Sequence, residues 1–129
     1  MKKRARQAAS LSKLWRVLPL TPAVFHILLA LAGGECHGYG IMQEVERLTN
    51  GQLHLGPGTL YRSIQRMLLD GLIEETKDGP ESESDDERRR VYRMTGFGRE
   101  VARAESSRLE ILVQTARARK LLPGPPHIR

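Results

Sequence analysis

Apolar residues recur at helical spacing in five stretches of the chain, and punctuation residues mark where most of them start and stop. In Ala5 to Leu18, Leu11, Leu14, Trp15 and Leu18 fall on one stripe, which predicts an amphipathic helix ended by Pro19. Thr21-Pro22 then supplies a capping hydroxyl and a proline at the first helical position, opening a helix through about Ala32. That helix is apolar nearly all round, so it belongs at the centre. Gly33-Gly34 stops it, and a third helix starts near His37 to Gly40, runs through Ile41, Val45 and Leu48, and ends at Asn50-Gly51. A fourth follows Gly56-Pro57-Gly58. Leu60, Ile64, Met67 and Leu68 form its buried stripe, while Thr59, Arg62, Ser63, Gln65 and Arg66 point away, and Gly71 closes it. Leu72 to Lys77 and Arg88 to Met94 read as two short strands around a long polar loop, a β-hairpin with Asp78-Gly79-Pro80 as its turn signal. The last helix begins at Thr95 and continues to about Leu122, where Pro123, Pro125 and Pro126 forbid it, leaving a disordered tail.

Three helices followed by a hairpin is the order of a winged helix-turn-helix, in which the third helix enters the major groove and the hairpin lies beside it. The fold class expected is therefore mainly α with a small β-hairpin, framed by an N-terminal helix and a long C-terminal one. The domain layout is a basic arm and amphipathic helix over 1–19, a winged helix over 20–94, a C-terminal helix over 95–122 and a tail over 123–129. Val101, Ala104, Leu109, Leu112, Val113 and Ala116 make an apolar stripe on that last helix, with Arg103, Glu105, Arg108, Glu110, Arg117 and Arg119 beside it. A helix of that length projecting from a small domain needs a partner.

Charge strengthens the nucleic-acid reading. The 129 residues carry a formal charge of +6, and the stretch from Glu74 to Glu87 holds eight of the fifteen acids with one base, Lys77. The remainder keeps twenty bases against seven acids, a charge of +13, which favours a polyanionic partner. The face of Thr59, Arg62, Gln65 and Arg66 carries side chains that reach bases and phosphates. Tyr61 is a further candidate contact, with packing against the wing as its alternative. Gly58 permits a close approach of backbone, either within the fold or to a phosphate. At least one of Arg88, Arg89 and Arg90 is expected to clamp a phosphate, although exposed pairing with the neighbouring acids is the simpler role. Lys2, Lys3, Arg4 and Arg6 form either a solubilising tail or an arm along the duplex.

Other chemistry is thinly represented. Cys36 is the only cysteine, so no intrachain disulfide forms and a reducing cytoplasm is the natural compartment. Cys36-His37, with His26 and His54 elsewhere, matches no standard zinc spacing, so neither a metal nor a cofactor is expected. No paired carboxylates, phosphate loop or catalytic triad is recognisable, which argues against an enzyme. The longest apolar run, Val24 to Ala32, is far below the roughly 20 residues of a membrane span, and the N-terminus lacks a secretory signal.

Five blocks in order resemble the PadR-like transcriptional regulators. They are Leu20-Thr21-Pro22, His37-Gly38-Tyr39-Gly40, Gly56-Pro57-Gly58-Thr59-Leu60-Tyr61, Leu69-Asp70-Gly71-Leu72-Ile73 and Arg89-Arg90-Val91-Tyr92-Arg93-Met94-Thr95, spanning Leu20 to Glu100. The resemblance implies a homodimeric repressor that binds a pseudo-palindromic operator in double-stranded DNA and is released by a small ligand or other signal. It adds Tyr39 to the DNA-contacting set. It also implies dimerisation through the first and last helices, by Leu11, Leu14, Trp15, Leu18, Val101, Leu109, Leu112, Val113 and Ala116, with Trp15 either at the seam or stacking on a flat effector. Two departures stand out. Gly40 replaces a glutamate common in the family, and the wing tip carries Glu81, Glu83, Asp85, Asp86 and Glu87, which repel DNA. The acidic tip is either a solvated loop or a surface for a cation or basic partner. With the long helix, it supports an alternative reading as a protein-interaction module.

Overall fold

Thr21 begins the helix expected after Pro19: its hydroxyl accepts from the Val24 amide at 3.2 Å, and Pro22 occupies the first turn. In the computed structural model, the described residues are Leu14, 16–76 and 90–124. They form α1 (Pro22–Ala32), β1 (Cys36–His37), α2 (Gly38–Leu48), α3 (Pro57–Leu69), β2 (Ile73–Glu75), β3 (Val91–Met94) and α4 (Gly96–Ala118). The expected winged helix-turn-helix, mostly helical with a long last helix, is the fold observed.

Helix α1 is central. It packs against α2, α3, α4 and β3, burying Ile27, Leu28 and Leu31 against Ile41 and Val45 of α2 and Leu60, Ile64 and Met67 of α3. Leu72, Ile73, Tyr92 and Val101 close the same core from the sheet and from α4. At about 25 cal/mol per Å2 of apolar surface, burying each of these large side chains contributes roughly 1.5–3 kcal/mol.

The sheet has three strands rather than two. β1 pairs with β3, which pairs with β2, all antiparallel, with Cys36 opposite Tyr92 and Glu74 opposite Arg93. A two-residue strand has no alternation to read, so β1 is invisible in sequence. Arg93 ties the sheet across its width, 2.7 Å from Glu74 of β2 and 3.9 Å from Glu35 beside β1. The turn at Asp78-Gly79-Pro80 and the acidic tip lie outside the described residues.

Thr95 joins wing to last helix. Its hydroxyl donates to the Gly71 carbonyl at 2.6 Å and accepts from the Gly98 amide at 2.9 Å, capping α4 while holding it to the chain that leaves α3. Gly71 itself sits at φ 75°, the left-handed conformation that ends α3. At its far end α4 stops at Ala118, short of the prolines. Lys120 takes φ 62° and the Leu121 amide turns back to the Ala116 carbonyl at 2.8 Å, so a left-handed residue ends the helix.

Two residues of the last helix are corrected by burial. Val101, expected at a dimer seam, is wholly inside the chain's own core. Glu105, expected on the polar flank, is 1% exposed: its carboxylate accepts from the Leu20 amide at 2.8 Å and from Arg108 Nε at 2.5 Å. The side-chain bond from Arg108 holds the Glu105 carboxyl below the ordinary glutamate range, against the opposing effect of burial. Because the folded value is the lower one, this stabilisation is complete above the unfolded glutamate value and is lost as pH falls through the folded one. Glu105→Gln keeps the acceptor for Leu20 and is expected to flatten that dependence. Thermal melts at neutral pH and below pH 4.5, the ordinary glutamate value, should therefore converge for wild type and variant as the pH drops.

Candidate nucleic-acid interface

The third helix presents its polar face outward. Buried Leu60, Ile64 and Met67 fix its roll, leaving Gly58, Thr59, Arg62, Gln65 and Arg66 exposed along the opposite side. Leu68 and Ser63 are both half-buried, at the edges of the two faces. No side-chain cap satisfies the amides at the helix start, where Gly56 precedes Pro57. A side chain at Gly58 would meet nothing within 4 Å, so the fold itself does not require a glycine there. Its absence of side chain instead leaves bare backbone at the outer start of the helix.

The two arginines differ in readiness. Arg62 Nε donates to the Gly58 carbonyl at 3.3 Å, a weak bond within its own helix. Arg66 is held 3.2 Å from Asp70 one turn on, an exposed pair of the kind worth about 0–1 kcal/mol.

Tyr61 is turned inward. The residue is half-buried, its hydroxyl oxygen is buried and its ring lies over Gly38 at the start of α2, so its polar tip is turned away from the exposed face of α3. Tyr39, the next residue on α2, is 53% exposed and flanks that contact. In the wing, Arg90 lies 3.6 Å from Glu75 across the strands, the ion pair that competes with phosphate clamping. Arg88 and Arg89 lie outside the described residues, as do Leu11, Trp15 and the basic N-terminus.

The residues expected at a dimer seam divide into two groups. Leu14 and Leu18 are half-buried against the chain's own core. Leu109 and Ala116 are half-buried on α4, while Leu112 and Val113 are 53% and 37% exposed, and Ile111 beside them is 63% exposed. All but Leu109 and Ala116 of the residues from Ser106 to Ala118 on α4 are exposed.

The described histidines serve local structure. His37 Nδ1 accepts from the Gly40 amide at 3.0 Å as the cap of α2, His26 Nδ1 donates to the Pro22 carbonyl at 2.6 Å, and His54 lies 3.5 Å from Glu46. Burial and the neighbouring Glu44 carboxylate push the Cys36 thiol above its ordinary range. Among the described residues no group of three His, Cys, Asp or Glu side chains converges to hold a metal, and no helix is long and apolar enough to cross a membrane.

Comparison with known proteins agrees with this geometry. The chain is 36% identical over 102 residues to the transcriptional regulator Rv3488 of Mycobacterium tuberculosis, covering 79% of this chain and 84% of that one. A transcriptional regulator from Clostridium thermocellum shares the fold with a TM-score of 0.61 at 22% identity, over 74% of this chain and 87% of that one. BpsR of Bordetella bronchiseptica, whose DNA binding is regulated by 6-hydroxynicotinic acid, shares it with a TM-score of 0.57 at 21% identity, over 88% of this chain and 78% of that one. The model of the transcriptional regulator PadR-like family matches residues 27–104, more than half of the chain. That match and the 36% identity to a curated regulator show that the chain belongs to the PadR-like family of transcriptional regulators.

Proposed function

We propose that the protein is a homodimeric repressor that binds a pseudo-palindromic operator through α3 and releases it in response to a small ligand or other signal. The observation that carries this reading is the outer face of α3. Thr59, Arg62, Gln65 and Arg66 are all exposed, backed by a fully apolar inner stripe, on the helix that a winged helix inserts into the major groove. The apolar face of α4 supports pairing of two copies, which places two reading helices about one helical turn, ~34 Å, apart. Tyr39 and the bare backbone at Gly58 flank the reading face and contact the phosphates, and at least one of Arg88, Arg89 and Arg90 clamps a neighbouring phosphate.

Ligand response has a structural opening. A cavity of about 360 Å3 lies between segment 16–21, α1 and the end of α3, with Arg16, Val17, Leu20, Val24, Arg66 and Met67 among its lining residues. An occupant there touches Arg66, and thus the reading face directly. BpsR, regulated by 6-hydroxynicotinic acid, is the precedent for such a response on this fold.

Arg62→Ala is the direct test. Fluorescence anisotropy against an operator duplex should show a loss of about 1–3 kcal/mol, roughly a fivefold to 150-fold rise in Kd, with a smaller effect on unrelated DNA. The wild type should show a steep salt slope because phosphate contacts release counterions. Unchanged operator affinity in a folded Arg62→Ala variant removes this residue from the reading set.

A further inference from the structure

Tyr61 stands on the reading helix, yet its polar end points away from the exposed face. A methyl group placed on Gly38 would lie 2.7 Å from the Tyr61 hydroxyl oxygen and 3.1 and 3.2 Å from ring carbons Cε1 and Cζ. The ring therefore rests directly on backbone at the first residue of α2. That backbone is itself fixed: Gly38 is buried, follows the capping residue His37, and His37 belongs to the strand that pairs with β3 opposite Val91. Through Tyr61, α3 is seated on the corner where the sheet and α2 meet.

The seating lies close to the chemistry of reading. Tyr61 is immediately before Arg62 and one helical turn before Gln65, while Tyr39 follows Gly38 on the other side of the contact. Core residues Leu60, Ile64 and Met67 fix which face of α3 points outward. The planar Tyr61 ring against the bare Gly38 backbone adds a stop on the depth and tilt of the helix at the end nearest Arg62. A tilt that moves Arg62 or Gln65 by about 1 Å spoils a hydrogen bond to a base edge, whose range is about 2.7–3.2 Å, whereas a flexible side chain still follows a phosphate.

We propose that the contact of Tyr61 with Gly38 is the positioning device of the reading helix, so that it governs discrimination between DNA sequences more than affinity for DNA in general. Tyr61 is then a positioning residue, acting on DNA through Arg62 and Gln65. This rests on the reading of α3 proposed above and adds what holds it in register.

The test uses the full chain and two duplexes: one selected by the wild-type protein from a random-sequence pool, and a scrambled duplex of the same composition. The quantity read is the ratio of their Kd values, together with the salt slope on each. Gly38→Ala is expected to lower that ratio at least about tenfold, the loss of one well-made base contact, while binding to the scrambled duplex and the salt slope stay near wild type. Tyr61→Phe alone is expected to keep the ratio within about threefold, and in the Gly38→Ala background it is expected to restore a large part of it, because it removes the closest clash. Tyr61→Leu empties the space over Gly38 without adding a clash. It is expected to lower the ratio as Gly38→Ala does, and it decides the matter if Gly38→Ala fails to fold by circular dichroism.

A wild-type ratio retained in folded Gly38→Ala or Tyr61→Leu overturns the positioning role while leaving α3 as the reader. Collapse of the ratio in Tyr61→Phe alone makes the hydroxyl itself a reader and also overturns it. A wild-type protein that enriches no sequence from the pool overturns both the positioning role and the operator reading on which it rests.

Discussion

Gly98→Ala is expected to destabilise the domain by more than about 4 kcal/mol, in the class of substitutions that most small domains do not survive. A Cβ at this position would lie 2.0 Å from the Leu72 carbonyl oxygen and 2.9 Å from its carbon, and the obstacle is backbone rather than a side-chain tip. That carbonyl has no room to swing. It accepts from the Thr95 amide at 3.1 Å, and Leu72 is 1% exposed within the core. Relief therefore requires the start of α4 to lift away from Leu72, breaking the Thr95 cap and unpacking Val101. The thermal midpoint followed by circular dichroism should fall by roughly 15 °C or more. Gly96→Ala, two residues earlier, is the control: nothing lies within 4 Å of its added carbon, so its midpoint should stay put or rise slightly. If Gly98→Ala melts within a few degrees of wild type, the start of α4 is far more compliant than its hydrogen bonds imply.

What the chain discloses in sequence and what it conceals follow from the range of the interactions involved. Thr21-Pro22, Gly33-Gly34, Asn50-Gly51 and Thr95 act on their own neighbours, and each marks a helix boundary that the structure reproduces within a residue or two. The inner stripe of α3 is equally plain, because Leu60, Ile64 and Met67 repeat with the helix and all three are buried. Concealment begins where a residue answers to something distant. Glu105 carries a charge and occupies a helix of mixed polarity, so periodicity assigns it to solvent; only its bond to Leu20, eighty-five positions away, explains its burial. Tyr61 has an apolar ring and a polar tip, and sequence allows either end to face outward, the choice being made by the bare backbone of Gly38. Gly98 looks like an ordinary weak point near a helix start until Leu72 is placed beside it. Val101 fits the last helix's stripe as well as Leu112 does, but the first turns of α4 lie against α1 and the later ones do not, a division set by the size of the domain.

That division makes the second large effect specific to one stretch of α4. The helix is 23 residues long, about 35 Å, and the domain covers only its beginning. Beyond Glu105, the Leu109, Leu112, Val113 and Ala116 face continues past the domain, with Leu112 53% exposed. Leu112→Asp is therefore expected to leave the fold intact, because the side chain contributes nothing to the core, while converting the proposed dimer to a monomer by placing a charge in its seam. Sedimentation or light scattering should then give the mass of one chain in place of two, with an unchanged far-ultraviolet spectrum. Operator binding should weaken by at least about a hundredfold, since the second reading helix loses the effective concentration that linkage supplies. Binding to a single half-site should change little, which separates loss of pairing from damage to α3. Val101→Asp makes the comparison sharp: seated four residues before Glu105 and wholly buried, it should unfold the domain and abolish binding to both duplexes. A folded Leu112→Asp variant that keeps the wild-type mass and operator affinity would instead place the dimer seam elsewhere on the chain, and with it the spacing of the two reading helices.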